Sequence, residues 1–585
     1  MLKVIFFAPH AALWVHAFPE ALVAETLAQS GHEVVYVTCG TAFRKYCIPI
    51  SAAGVPFGAS DERKAEVCQR CTRSKNLLKR HFGFAGYDFE TRLEVSDNVA
   101  IDAIIASTTR LNYLDIKIEG VPVGRYALYE LLLNHKKQQL LFSDAEWGEY
   151  LQTLENSLKA IFSAKRIFAQ EKPDRIVSYN SLYSVNHVVS ALAERYGIPS
   201  YFLHAGGHLV RRLETLLIGR KDGVQFYSHL LNYWPTVKND SCAPNLLASV
   251  TDHVLELLRG KSGLVYSAPR ANNAAELRGR WGIRREVKIL VATMSSPDER
   301  FAAETIGVMA GSRARLFGTQ IAWIKKLLEY VAARPNLFLI LRVHPREFPN
   351  KREVVKSEHA TMLQAELSHL PENAVVNWPE DRVSLYDLAD VADVFLNAWS
   401  AAGKEMSLLG LPVVAYAGDL LAYPADLNYV ASSEADYFEK IALALQEGWS
   451  IERLRMAYRW CALEYERATF DIAASFPQKA KTVPLRDWFY KFLRRINYHF
   501  PQHFDCLLKA RVLKDRQAIN DTFVLALDTP LVLLAASNVT TPNDAETQAL
   551  RSEVGRLLEG LYGKAIVADE ASMVRNKLSS FANGG

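Results

Sequence analysis

The chain has 585 residues, 49% hydrophobic and 23% charged, with a formal net charge of +4 at pH 7. That length exceeds what one hydrophobic core sustains, so two or three domains are expected. The mild charge argues against a dedicated nucleic-acid binder and leaves contact with phosphorylated substrates or anionic lipid open. No apolar run reaches the roughly 18 residues of a spanning helix, and the opening stretch Leu2–His10 carries no cleavage signal. Seven cysteines in so long a chain do not make a secreted disulfide framework. A cytoplasmic protein is the expectation.

In chain order, residues 2–9 read as a buried strand, 13–31 as a helix stopped by Gly31, and Glu33–Val37 as a second strand, a βαβ opening. His10 stands at the first strand's exit, where it is either a polar loop residue or a group that meets an acceptor as a base. Cys39, Cys47, Cys68 and Cys71 follow closely, the last two as Cys-Gln-Arg-Cys. Four thiolates with one tight pair can hold a structural zinc, and the alternative is reduced, unliganded thiols. The charged stretch from about 73 to 170 has helical apolar spacing and reads as an insertion. Its acids Asp88, Glu90, Glu94 and Asp97 are weak candidates for an acceptor-side base.

Order returns at Pro173–Asn180, a strand with a polar exit, then a helix to Arg195, then Gly197–Gly207, whose strand ends in His204-Ala-Gly-Gly. This is a parallel-sheet repeat, and its polar exits belong on the same edge as His10. The polar stretch Ala268–Arg285 reads as a linker. A second series follows, with strands at Val287–Met294, Leu337–Val343, Val375–Val376, Val394–Asn397 and Val413–Tyr416 and a helix at Thr319–Ala333. Two exits here carry chemistry. In Leu341-Arg-Val-His-Pro345 the period-two alternation puts Arg342 and His344 on one face, and Pro345 bars further pairing. A histidine so held can bond a phosphate or ribose oxygen and, when protonated, offset leaving-group charge. In Ser400-Ala-Ala-Gly-Lys-Glu405, Ser400 can cap the next helix, Gly403 leaves room for an anion at its amides, and Glu405 can accept from sugar hydroxyls.

Together with Phe317-Gly-Thr-Gln-Ile-Ala-Trp-Ile324, Ser384-Leu-Tyr-Asp-Leu388 and Gly410-Leu-Pro-Val-Val414, these motifs resemble the glycosyltransferase-B superfamily. Within it they resemble bacterial capsule and lipopolysaccharide transferases, including the capsule-synthesis and Kdo-transferase-like group. The likeness covers residues 287–416 in order and spacing, and the first half only in outline. It implies an α/β chain of two Rossmann-like domains facing a cleft, with a helical insertion in the first and a mainly helical C-terminal extension. It also implies that His344, Ser400 and Gly403 contact the donor phosphate and Glu405 the donor sugar or ribose. Ser295, Ser296 and Ser384 would line the same pocket, with Arg342 beside His344. One departure is Ala401, where many relatives carry a second hydroxyl.

The implied division is 1–275 for an acceptor domain, 276–450 for a nucleotide-sugar domain and 451–585 for a crossing helix and extension. Within the last, Leu485–Ile496 sets Trp488, Phe489, Phe492 and Ile496 on one face among Arg486, Lys491, Arg494 and Arg495. Such a helix either lies on an anionic membrane or packs into a core or partner. The expected function is transfer of a sugar from a CMP-, UDP- or GDP-linked donor to a glycan or lipid-linked glycan acceptor of the cell surface. The enzyme would need no catalytic metal or nucleic acid and would be cytoplasmic, with peripheral contact at the inner membrane left open. His10 is the first choice for acceptor base and His204 the second. Competing readings are a nucleotide-sugar 2-epimerase, a polyol-phosphate transferase, and a non-catalytic glycan- or nucleotide-binding assembly factor.

Overall fold

The structure is a computed structural model and describes residues 1–311, 316–350, 354–475, 513–528, 541–563 and 572–584. The amphipathic stretch 485–496 lies outside the described residues.

Two sheets organise it. The first contains β1 (Lys3–Phe7), β2 (Glu33–Thr38), β3 (Ala85–Asp88), β4 (Arg175–Tyr179), β5 (Ser200–Ala205) and β6 (Thr215–Arg220). The second contains β7 (Lys288–Thr293), β8 (Leu337–Arg342), β9 (Ala374–Asn377), β10 (Val394–Asn397), β11 (Val413–Ala415) and β12 (Tyr429–Val430). A last strand, β13 (Phe470–Asp471), returns to the first sheet. The spatial orders are β3-β2-β1-β4-β5-β6-β13 and β9-β8-β7-β10-β11-β12. Each is the doubly wound Rossmann order, and the order in which strands are added reverses between β1 and β4 and between β7 and β10, whose members run parallel. The second sheet is wholly parallel, whereas β6 runs antiparallel to both β5 and β13.

The sequences explain the burial. β8, Leu-Phe-Leu-Ile-Leu-Arg, is buried at every position, as a parallel strand covered on both faces requires. The 28-residue helix Asp144–Glu171 starts in a capping box, with Ser143 and Glu146 each satisfying the other's backbone N–H. Its Tyr150, Leu154, Leu158 and Ile161 form a buried stripe at helical spacing. This helix, with Asp61–Phe82, Val95–Ser107 and Tyr129–Asn134, makes up the expected insertion. β3 also lies in that stretch and was not anticipated, because Ala-Gly-Tyr-Asp has neither length nor alternation.

Among the described residues, three links between the domains stand out beside an apolar cluster that both share. The helix Ile451–Ala462 runs through a π-helical turn, Leu463–Arg467, into β13, which pairs with β6. It thus carries the chain from the second sheet back to the first. The insertion also reaches the second domain. Lys136 Nζ donates to Val355 O at 2.6 Å and to Arg346 O, and Lys137 meets Glu358 at 2.9 Å. Third, Ala302 of the helix Pro297–Thr305 belongs to the first domain's apolar cluster. The C-terminal helices pack outside: Arg516–Val524 on Trp14–Gln29, and Asn543–Tyr562 along Pro244–Arg259. No described helix is long and apolar enough to cross a membrane.

Candidate functional site

Both strand-order reversals put loop ends where open α/β sheets hold ligands. A cavity of about 1070 Å³, open to solvent, lies at the second domain's edge and is closed from the other side by Gly207, His253 and Tyr266. Arg342, His344, Ser400 and Glu405 all line it, whereas Ser295, Ser296, Ser384 and Gly403 are not among its lining residues.

His344 Nδ1 accepts the Arg346 backbone N–H at 3.2 Å, which leaves the ring proton on Nε2 as a donor. Burial, with Arg346 and Arg342 nearby, pushes this imidazole down to about 4, so it is neutral at pH 7. Arg342 is fixed by Val383 O at 2.9 Å and by Asn377 Oδ1. Burial lowers its pKa to about 10, leaving it a cation. Glu405 accepts from Tyr386 Oη at 3.1 Å, and burial raises its carboxyl. Ser400 Oγ accepts the Ala402 N–H at 3.2 Å from one position before the N-cap, which is Ala401, so the expected Ser400 cap of the short helix Ala402–Ser407 is not formed.

Other members of the expected set hold the loops. Ser295 Oγ accepts from Trp399 N at 3.1 Å. Ser296 Oγ lies 2.7 Å from both Asp298 Oδ1 and Glu347 Oε1. One hydroxyl proton cannot serve both, and Glu347, pushed up to about 7 by burial, is the carboxyl suited to carry the second. Ser384 caps the helix Leu385–Val391 through Tyr386 N at 3.2 Å. Gly403 is corrected too: a Cβ there would meet Tyr423 Oη at 2.0 Å, Asn397 Nδ2 at 2.6 Å and Asn428 Oδ1 at 2.9 Å. Its open side faces packed protein, so this glycine serves close packing where a ligand was expected.

Residues that the sequence did not single out complete the cavity. Lys404, inside the Ser400–Glu405 motif, pairs with Glu464 at 2.5 Å and donates to Tyr465 Oη at 2.9 Å. Both partners come from the π-helical turn, a local irregularity that often marks a functional place. His253, whose Nδ1 accepts Leu209 N–H at 3.1 Å, comes from mid-helix, where nothing in the sequence distinguishes it.

In the first domain His10 and His204 gather with His16, Tyr179 and Tyr183. The His16 ring stacks on Tyr179 at 4.2 Å, Tyr179 lies 6.0 Å from His204, and His10 meets Tyr183 edge-on at 5.6 Å. Burial lowers all three imidazoles, His10 to about 3 and His16 to about 4. Among the described residues neither ring nitrogen of His10 has a hydrogen-bond partner, and no carboxylate orients it. The acids Asp88 and Asp97 are taken up by Lys75 at 2.9 Å and Arg166 at 2.7 Å, and Glu90 and Glu94 by Thr41 and Arg166.

The zinc expectation is not met. Cys39 follows β2, Cys47 precedes the helix Ile48–Ala52, and Cys68 and Cys71 lie one turn apart on Asp61–Phe82. All four line one cavity of about 490 Å³. Burial raises every one of these thiols. Among the described residues, no group of three or more His, Cys, Asp or Glu is placed to hold a metal ion.

No protein-family model matches the chain, and no curated protein matches it. Solved structures do. A UDP-GlcNAc 2-epimerase from Neisseria meningitidis, bound to UDP-GlcNAc, is 12% identical over 85% of this chain and 100% of its own, with TM-score 0.23. KpsC of Thermosulfurimonas dismutans, a beta Kdo 2,4 transferase, is 14% identical over 49% of this chain and 88% of its own, with TM-score 0.28. The calicheamicin glycosyltransferase CalG4 is 12% identical over 85% and 99%, with TM-score 0.24. At these scores the likenesses add nothing to the strand order, on which the fold rests: two Rossmann-like α/β domains, the arrangement that the glycosyltransferase-B resemblance implied.

Proposed function

We propose that this chain transfers a sugar from a nucleotide-activated donor to a glycan acceptor of the bacterial surface. The observation that carries the reading is the convergence of His344, Ser400 and Glu405 on one cavity of about 1070 Å³, at the strand-order reversal of a Rossmann sheet and facing the first domain. In this reading the donor phosphate accepts from His344 Nε2–H and from the Ser400 loop, beside the fixed Arg342 cation. Its negative charge favours a protonated His344, which then stabilises the departing phosphate. Glu405, held by Tyr386, accepts from ribose or donor-sugar hydroxyls. The acceptor enters from the first domain, past His10 and His204. No divalent cation is called on, so EDTA leaves turnover unchanged.

The test is thermal stabilisation by CMP, UDP and GDP and their sugars. A ligand at 100 times its Kd adds about 2.7 kcal/mol to stability. One nucleotide is expected to stabilise the wild type and to lose that effect in His344→Ala. No shift with any nucleotide, or an equal shift in the variant, overturns the assignment. Conversion of a nucleotide-sugar without acceptor and without release of free nucleotide would point to epimerisation instead.

A further inference from the structure

The cavity beside His344 offers about 310 Å³ to a bound ligand, within the range of small-molecule sites. The sugar-transfer reading places one phosphate against Arg342 and His344. A second set of polar groups lines the same cavity and has no part in that reading: His253, Lys404 and Tyr465.

His253 lies on the helix Pro244–Arg259 and is 4% exposed. Its Nδ1 accepts the Leu209 N–H at 3.1 Å, so the ring proton sits on Nε2. Nε2 has no hydrogen-bond partner among the described residues and, unlike the ring nitrogens of His10, is not sealed from the cavity. Burial holds this imidazole well below its ordinary value, so at pH 7 it is neutral and turns a donor, not a base, toward the cavity. Lys404 is 7% exposed. Its ammonium donates to Tyr465 Oη at 2.9 Å and to Glu464 at 2.5 Å, which leaves a third N–H. Glu464 is not among the lining residues, so the cation has its counter-charge behind it and the cavity in front. The His253 ring lies 4.4 Å from the ring of Tyr465, which puts imidazole and ammonium on one wall.

The cavity thus has two places for negative charge. Its lining holds the cations Arg342 and Lys404 against one carboxylate, Glu405, which burial raises. A donor with a single phosphate would leave one of the two without an anion. A carboxylate is best met by the paired N–H groups of an arginine, whereas lysine and imidazole are point donors suited to a phosphate oxygen.

We propose that His253 and Lys404 hold the second phosphate of the donor, so that this site takes nucleoside diphosphate sugars and discriminates against monophosphate-linked ones. That the ligand is a sugar donor rests on the sugar-transfer reading; the second phosphate rests on His253 and Lys404.

Isothermal titration of the full chain compares UDP with UMP, GDP with GMP and CDP with CMP, with inorganic pyrophosphate as the probe that lacks a nucleoside. One diphosphate is expected to bind at least about tenfold more tightly than its monophosphate. His253→Asn, whose Oδ1 can still accept the Leu209 N–H, is expected to weaken the diphosphate about tenfold and bring that ratio close to one. Lys404→Met with Glu464→Gln, which removes the cation and its counter-charge together, is expected to do the same. Urea unfolding of each variant reports its folding. A monophosphate that binds the wild type as tightly as its diphosphate, and is lost in His344→Ala, overturns the second phosphate and leaves the sugar-transfer reading standing. Equal weakening of both nucleotides, or of neither, in folded His253→Asn protein also overturns it. Pyrophosphate bound through His253 in a protein that binds no nucleotide keeps the anion site and overturns the sugar-transfer reading. No binding of any probe overturns both.

Discussion

Gly403→Ala separates two roles for one glycine. If the residue is small so that a ligand can reach the helix amides, alanine removes nucleotide binding and spares the fold. The geometry predicts the reverse. The new methyl would lie 2.0 Å from Tyr423 Oη, which itself accepts from Asn397 Nδ2 at 3.0 Å and donates to Asn428 Oδ1 at 2.7 Å. Overpacking costs about 1–3 kcal/mol. Displacing the hydroxyl breaks two buried bonds at about 1 kcal/mol each, so a total loss of about 3–5 kcal/mol is expected. Urea unfolding of Gly403→Ala measures it, with Gly318→Ala, which has nothing within 4 Å of the added carbon, as the control within about 0.5 kcal/mol. Tyr423→Phe removes the clashing oxygen, so the double variant should cost at least about 1 kcal/mol less than the sum of the single ones. A Gly403→Ala protein with wild-type stability and no nucleotide response would refute this reasoning and restore the ligand-approach reading.

Two further predictions concern buried charge. Lys404→Met leaves Glu464, 6% exposed, without its cation and should cost about 3–5 kcal/mol, while Lys404→Met with Glu464→Gln regains most of it in calorimetry. His359, 3% exposed, is held by burial at about 4 against an unfolded value near 6.5. Its neutral form is the folded one, so its contribution is complete above pH 6.5 and is lost as pH falls toward 4. At pH 5.5 that loss is about 1.4 kcal/mol. The fall in stability from pH 7.5 to 5.5 should be smaller by that amount in His359→Asn, and an unchanged fall would show that His359 does not titrate this way.

Much of the second domain was legible because its strands are continuous apolar runs with polar exits, a local pattern that burial on both faces imposes. The short strands β3, β12 and β13 were not, since strands of two to four residues carry no periodicity and exist only where a neighbouring edge offers hydrogen bonds. The sequence by itself determined the two α/β series and placed Arg342, His344, Ser400 and Glu405 at strand exits. Only the tertiary structure decided which side each of them faces. It turned Ser295, Ser296, Ser384 and Gly403 into the scaffold and brought Lys404 against Glu464 and Tyr465 from 60 residues away. It also gathered the four half-buried cysteines around one cavity and, among the described residues, left both His10 ring nitrogens and Glu130 Oε2 without hydrogen-bond partners. The reason is physical: a strand exit is set by local backbone pattern, whereas partners, burial and protonation depend on groups brought together from distant parts of the chain.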